Sequence, residues 1–179
     1  MLSIENTVLL VIDVQEKLSR VMYQREKFID NLQKLIRGIQ VLDVPIIVTE
    51  QYPQGLGPTI PEIAPLLNNI QPLPKLSFSC NGDENFARRF EALNRKQVLV
   101  SGIESHVCVY QTVADLINLG YEVHVVTDAV SSRTLENREI GFNMMNRLGA
   151  ILTSTETVLF DLLKVAKGEK FKAISQIVK

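Results

Sequence analysis

The feature that most constrains the fold is a regular alternation of short apolar runs with longer segments of helical spacing. The first run, Thr7–Ile12, is apolar without a break and is followed by Asp13, a pattern typical of a parallel strand covered by helices on both faces. Residues 25–42 then repeat their apolar side chains at helical spacing. Because this alternation continues through the chain, the sequence predicts an α/β protein.

The alternation predicts six strands and five main helices. The strands are expected over residues 7–13, 45–50, 73–78, 97–102, 122–128 and 150–153. The helices are expected over residues 25–42, 84–93, 105–118, 135–148 and 156–165. Residues 51–74 carry six prolines and two glycines, which indicates a long loop with one helical turn near 62–67.

Right-handed crossovers would arrange these elements as a three-layer α/β/α, Rossmann-like sheet of six mostly parallel strands in the order 3-2-1-4-5-6. Ligands bind such sheets outside the carboxyl ends of the strands, where the strand order reverses. Asp13 ends strand one, Lys75 lies at or near the end of strand three, and the turn 102–108 follows strand four. The predicted fold therefore brings Asp13, Lys75 and Cys108 to one rim.

Composition limits the partners that we expect. The chain has 179 residues, enough for a single domain over residues 1–179, and its net charge of -1 does not indicate nucleic acid or an anionic membrane as a partner. No signal peptide is evident and no apolar run approaches the roughly 18 residues of a membrane span, so a cytoplasmic protein is predicted. The two cysteines and two histidines lack metal-ligand spacing, and we expect neither a metal nor another cofactor.

Three residues at the predicted rim form a possible catalytic set. Cys108 falls in the first turn of a helix, where the helix dipole favours the thiolate, and Asp13 could accept the thiol proton as general base. Lys75 would keep Asp13 ionised, and its positive charge would also favour the thiolate. Backbone N–H groups at the helix start could bind an oxyanion. Each residue also has a plainer interpretation: Asp13 could cap a turn, Lys75 could be a solvated charge, and Cys108 could be a small core side chain.

Three separated segments carry a resemblance to a known family: Leu10–Gln15 (LVIDVQ), Pro74–Ser79 (PKLSFS) and Gly102–Val109 (GIESHVCV). On these segments the chain, from about Thr7 to Leu163, resembles the isochorismatase-like cysteine hydrolases. The resemblance implies a six-stranded sheet, a homo-oligomer and a small-molecule substrate.

The resemblance also assigns roles to individual residues. It implies that Asp13 is the general base, Lys75 the triad lysine and Cys108 the nucleophile. It further implies a non-proline cis peptide bond between Ile103 and Glu104, which would aim backbone N–H groups at the substrate oxygen as an oxyanion hole that includes Cys108. The side chains expected to line the substrate pocket are Gln51, Tyr52, Phe78 and His106.

The family is chemically mixed, and departures from its patterns narrow the choice. The nicotinamidase branch binds a metal through Asp and His residues after the second strand, but residues 49–55 contain no His. The branch that cleaves the vinyl ether of isochorismate needs an acid and no thiol, so Cys108 favours hydrolysis of an amide-type C–N bond through a thioester. The sequence therefore predicts a metal-independent cysteine hydrolase that acts on a small amide-like substrate.

Several alternatives stay open at this point. The protein could be a vinyl-ether hydrolase of the isochorismate type with Asp13 as its acid, or a catalytically silent binding protein on the same fold. A phospho-acceptor domain would need a cluster of acidic residues for Mg²⁺, and only Asp13 stands at the end of the first strand. The identity of the substrate depends on the shape of the loop 51–74, which sequence patterns do not give.

Overall fold

In a computed structural model that describes residues 1–179, the strands form one sheet in the order β3-β2-β1-β4-β5-β6. All neighbouring strands pair in parallel, which confirms the predicted α/β class and strand order. The strands are β1 (Thr7–Ile12), β2 (Ile46–Gln51), β3 (Leu73–Lys75), β4 (Gln97–Ile103), β5 (Glu122–Ser131) and β6 (Ile151–Thr153).

Helices cover both faces of the sheet. They are α1 (Glu16–Ser19), α2 (Arg25–Val41), α3 (Pro53–Leu56), α4 (Glu84–Glu91), α5 (Tyr110–Asn118), α6 (Leu135–Arg147), α7 (Thr155–Leu163) and α8 (Gly168–Ile177). Helices α2, α7 and α8 bury their apolar side chains on one face, and α4, α5 and α6 bury theirs on the other. None of the helices is long and apolar enough to cross a membrane.

The central strand β1 explains why its sequence is apolar without alternation. Leu9 and Val11 point into the core beneath α2, whereas Val8, Leu10 and Ile12 point into the core on the opposite face. Successive side chains of a strand alternate between faces, so a strand covered on both sides is apolar at nearly every position, and in β1 only Thr7 is polar. All six residues of β1 are accordingly buried.

Three predicted segments differ in length or form. Strand β3 ends at Lys75, three residues before the predicted end, because the chain there turns and directs backbone carbonyl groups back toward the Lys75 ammonium. Strand β5 continues past the predicted end to Ser131. The predicted helix over 105–118 begins as one π-helical turn, Ser105–Val109, before α5.

The long connection between β2 and β3 is folded against the sheet. It contains α3 and a 3-10 helix, Ala64–Leu67, the latter close to the predicted helical turn. Gln15 holds the start of this connection close to β1, because its Nε2 donates to the carbonyl groups of Gln51 (3.0 Å) and Gly57 (2.7 Å). The start of the connection therefore lies beside the carboxyl end of β1.

Candidate active site

A buried ion pair occupies the carboxyl edge of the sheet. Asp13 follows β1 directly and adopts a left-handed backbone conformation, with φ of 53°. Its Oδ2 accepts a hydrogen bond from Lys75 Nζ at 2.7 Å, and both side chains are completely buried. Charged groups are rarely buried unless they are paired, so Asp13 and Lys75 depend on each other. The structure thus brings together two of the three residues predicted for the triad.

Every hydrogen of the Lys75 ammonium has an acceptor. Besides Asp13, Nζ donates to Gln51 Oε1 (2.8 Å) and approaches the carbonyl oxygens of Ser77 (3.1 Å) and Phe78 (3.0 Å). Burial alone would lower the pKa of Lys75. The negative charge of Asp13, together with the hydrogen bond to Asp13 and the effects of Cys80 and Cys108, outweighs burial, and the pKa lies above its usual value. Lys75 is therefore a fixed cation at neutral pH, with its donors committed to the protein.

The second oxygen of Asp13 is held by a residue that the sequence analysis did not single out. Thr49, buried in β2, donates its hydroxyl to Asp13 Oδ1 at 2.7 Å, and its carbonyl accepts the Asp13 N–H at 3.1 Å. The sequence feature that could have identified Thr49 is a polar residue within a buried parallel strand next to β1. The register of β2 against β1 is also needed, because it pairs Thr49 with Ile12, the residue before Asp13.

The Cys108 thiol lies in the π-helical turn and is only 6% exposed. Burial raises the pKa of Cys108 well above its usual value, and the negative charge of Asp13 raises it further, while Lys75 acts in the opposite direction. The resting residue is consequently a thiol. This differs from the expectation of a thiolate, because burial and the charge of Asp13 together outweigh the effect of Lys75.

Backbone bonds and close packing shape the turn before Cys108. The Ile103–Glu104 peptide bond is cis. The Glu104 carbonyl accepts the N–H groups of Val107 (3.0 Å) and Val109 (3.2 Å), and Glu104 Oε2 accepts the backbone N–H (3.1 Å) and Nε (3.0 Å) of Arg133. The turn is thus anchored to the segment that follows β5.

A hydroxyl pair and one glycine fix the start of the π-helical turn. Ser132 Oγ accepts the Ser105 N–H at 3.0 Å and lies 2.7 Å from Ser105 Oγ. Helix α6 packs directly on this turn at Gly141, where an added Cβ would lie 2.6 Å from the Ser105 carbonyl carbon. Only a residue without a side chain permits this approach.

The four predicted pocket residues occupy three different positions. Gln51 is half-buried and bonds to the buried ion pair, since its Oε1 accepts from Lys75, while its Nε2 donates to the Leu76 carbonyl at 2.8 Å. Tyr52 and Phe78 lie at the rim, 51% and 54% exposed, and Tyr52 lines a groove of about 490 Å³ together with Lys75. His106 is half-buried, and its Nδ1 lies 3.1 Å from Ser132 Oγ. No group of three or more His, Cys, Asp or Glu side chains is arranged to hold a metal ion.

Comparison with known proteins places this site in a family. A family model described as the isochorismatase domain matches residues 7–157, which include Asp13, Lys75 and Cys108. This chain belongs to the isochorismatase-like hydrolase family. Isochorismatase domain-containing protein 2 from Danio rerio is 37% identical over 177 residues, covering 99% of this chain and 89% of that protein.

Solved structures share the isochorismatase-like fold. The structure of MAR1 ribonuclease from Caenorhabditis elegans superposes with a TM-score of 0.92 at 36% identity, covering 99% of this chain and 91% of that chain. The YcaC gene product from Escherichia coli, described as an octameric hydrolase of unknown specificity, superposes with a TM-score of 0.93 at 23% identity, covering 98% and 88%. At the latter identity the likeness concerns the fold alone.

Proposed function

We propose that this isochorismatase-family protein is a metal-independent cysteine hydrolase that cleaves the C–N bond of a small amide-like substrate through a thioester. The observation that carries the proposal is the buried Asp13–Lys75 ion pair, whose carboxylate acts electrostatically on the Cys108 thiol. A buried carboxylate beside a thiol can accept its proton at the moment of attack. Asp13, Lys75 and Cys108 are the proposed base, orienting cation and nucleophile.

The first half of the reaction forms the thioester. Asp13 takes the S–H proton as Cys108 Sγ bonds to the substrate carbonyl carbon, so a thiol of raised pKa needs no free thiolate beforehand. The carbonyl oxygen becomes an oxyanion, which the backbone N–H groups at Ile103–Glu104 and Cys108 are proposed to stabilise. The C–N bond then breaks, and the proton passes from Asp13 to the leaving nitrogen.

The second half releases the acid. Asp13 takes a proton from water as the water oxygen attacks the thioester carbonyl carbon. The C–S bond breaks, and the proton returns to Cys108 Sγ. Lys75 stays protonated throughout, because its hydrogens are held by Asp13, Gln51 and two carbonyl groups. Its role is to keep the Asp13 carboxylate ionised and aimed at the thiol.

The test is a screen of small amides, ureido compounds and isochorismate on wild type, Cys108→Ala and Asp13→Asn in parallel. Both variants should lose at least about 10⁴-fold in kcat on the amide that wild type turns over, and intact-mass analysis should trap a thioester on Cys108 with a slow substrate. A Cys108→Ala variant that retains wild-type turnover of that amide would refute the nucleophile. Thermal unfolding of each variant checks that loss of activity is not loss of fold.

Two further reactions are decided by the same variants. In a vinyl-ether hydrolase with Asp13 as acid, Cys108→Ala keeps its activity on isochorismate and Asp13→Asn loses it.

Because the nematode relative bears the name of a ribonuclease, an RNA substrate belongs in the screen, although a net charge of -1 does not favour a polyanion. A catalytically silent binding protein would turn over none of these compounds, and its Cys108 would react with iodoacetamide no faster than Cys80.

The proposal includes a homo-oligomer in the cytoplasm. Helix α6 exposes Ile140 and Met144, Leu148 directly after it is also exposed, and the edge strand β6 exposes Ile151 and Leu152. Several exposed apolar side chains within residues 140–152 favour a protein interface there, and the YcaC structure is described as an octamer. Light scattering after size-exclusion chromatography should give a multiple of 20.1 kDa, and a monomer would contradict this part. Cell fractionation tests the location.

A further inference from the structure

The two oxygens of the Asp13 carboxylate have different partners. Oδ2 faces the Lys75 ammonium at 2.7 Å, and Oδ1 accepts the hydroxyl of Thr49, also at 2.7 Å. Thr49 is 1% exposed and Asp13 is completely buried, so water does not compete for this bond. A hydrogen bond from a neutral hydroxyl to a buried carboxylate stabilises the charged form of that carboxylate.

The direction of the Thr49 hydrogen bond is fixed by its neighbours. A hydroxyl has one hydrogen, and an ionised carboxylate can only accept, so the Thr49 hydrogen points at Asp13. The next group along is Cys80, whose Sγ lies 3.9 Å from Thr49 Oγ1 and which is itself completely buried. Burial, and next the charge of Asp13, raise the pKa of Cys80 to about 11, so its hydrogen is retained at neutral pH.

Cys80 is therefore the donor and Thr49 Oγ1 the acceptor of this second contact. Helix α5 holds Cys80 in place, because the Cys80 N–H donates to Thr112 Oγ1 at 3.0 Å. The result is a buried chain of three groups, Cys80 S–H to Thr49 O–H to Asp13 Oδ1, none of which reaches solvent. The chain gives Cys80, which takes no part in the hydrolytic steps, a structural role beside Asp13.

We propose that Thr49 is a positioning residue that sets the proton affinity of Asp13, and that Cys80 orients the Thr49 hydroxyl for this purpose. The inference rests on the proposed function of Asp13 as general base. Without the hydroxyl, the ionised carboxylate loses a donor and binds a proton more tightly. Only ionised Asp13 can accept the thiol proton, so the reaction rate falls at low pH. We call this fall the acid limb of the pH–rate profile, and without the hydroxyl it moves to higher pH.

The experiment uses iodoacetamide as its probe and needs no identified substrate. The rate of Cys108 alkylation is followed by peptide mass spectrometry, which separates Cys108 from Cys80, across pH in wild type, Thr49→Val and Thr49→Ser. Thr49→Val keeps the shape of the side chain without the hydroxyl, and its acid limb should move up by roughly 1 to 2 pH units. Thr49→Ser keeps the hydroxyl and should stay near wild type. Equal profiles for the two variants would overturn the proposal.

A second pair of variants covers the case in which Thr49→Val does not fold. Cys80→Ala removes the donor to Thr49 while Thr49 itself remains, and its acid limb should move in the same direction by a smaller amount. Cys80→Ser keeps a donor and should move less. If Cys80→Ala and wild type coincide, the orienting role of Cys80 is wrong.

Asp13→Asn separates a failure of this inference from a failure of the proposed function. If Asp13→Asn alkylates with the wild-type profile, Asp13 is not the base and the function itself is refuted. If Asp13→Asn abolishes the acid limb and Thr49→Val leaves it in place, only the positioning role of Thr49 is refuted.

Discussion

The strand-end side of the candidate site, formed by Asp13, Thr49 and Lys75, is held by hydrogen bonds among its own buried side chains. The turn side, residues 102–109, is held by backbone bonds, by close packing and by polar contacts with the segment after β5. Both sides are buried, but they depend on different chemistry. The strand-end side should be sensitive to the loss of a single charge or donor. The turn side should be sensitive to the gain of a single carbon atom.

The largest expected effect breaks the strand-end side. Lys75→Met leaves the Asp13 carboxylate buried without its cation, and we expect the free energy of unfolding at neutral pH to fall by about 3–5 kcal/mol. Urea denaturation measures it. Lys34→Met is the matched control, since the Lys34–Asp30 pair is partly exposed, with side chains 27% and 59% accessible, and should cost less than about 1 kcal/mol. Similar losses in the two variants would mean that Asp13 does not rely on Lys75.

The junction of the two sides is the next most sensitive point. Gly102 has φ of 113°, and an added Cβ would lie 2.1 Å from the Ile12 carbonyl oxygen. Gly102→Ala combines backbone strain with this overlap, so its free energy of unfolding should fall by about 2–4 kcal/mol. Gly120→Ala is the control: its φ is 82° and nothing lies within 4 Å of the new Cβ, so only the strain of about 1–2 kcal/mol remains. Equal effects would show that the contact with β1 is unimportant.

A smaller effect tests the polar anchor of the turn side. Ser132→Ala removes the acceptor of the Ser105 N–H and the partner of the Ser105 hydroxyl, and should cost about 1–3 kcal/mol. The neighbouring Ser131 is equally buried but bonds mainly to the Tyr23 carbonyl at 2.8 Å, so Ser131→Ala should cost about 1 kcal/mol. Urea denaturation of both variants decides the order. A more damaging Ser131→Ala would contradict the anchoring role of Ser132.

The two sides also differ in how far the sequence predicts them. The strand-end side follows from topology: unbroken apolar runs identify the central strands, the alternation of elements gives their order, and parallel strands bring Asp13 and Lys75 to one edge. To predict the role of Thr49, one also needs the register of β2 against β1, which places Thr49 beside Asp13. Hydrophobic pattern alone does not separate that polar strand residue from a merely tolerated one.

The turn side could not be predicted in the same way. The π-helical turn depends on Gly141 in α6 and on Ser132, the residue after β5, and neither gives a local signal near Cys108. The raised pKa of the thiol depends on burial by distant segments, so reasoning from the helix dipole alone gave the opposite direction. Local sequence gives the identity of the nucleophile candidate, and tertiary packing gives its protonation state.

The smallest effect concerns the pH dependence of the strand-end side. Burial would lower the pKa of Lys75, but Asp13, with smaller contributions from Cys80 and Cys108, raises it above the ordinary value of 10.5. A group whose pKa is higher in the folded state stabilises the protein fully below its unfolded pKa, and this contribution is lost as pH rises through the folded pKa. The stability gap between wild type and Lys75→Met should therefore be constant near neutrality and narrow above about pH 10.5. Denaturation curves at several alkaline pH values measure the gap, with Lys34→Met as the reference. A gap that widens with rising pH would mean that Lys75 is already neutral in the folded protein, and that hydrogen bonds rather than charge hold Asp13 on this side of the site.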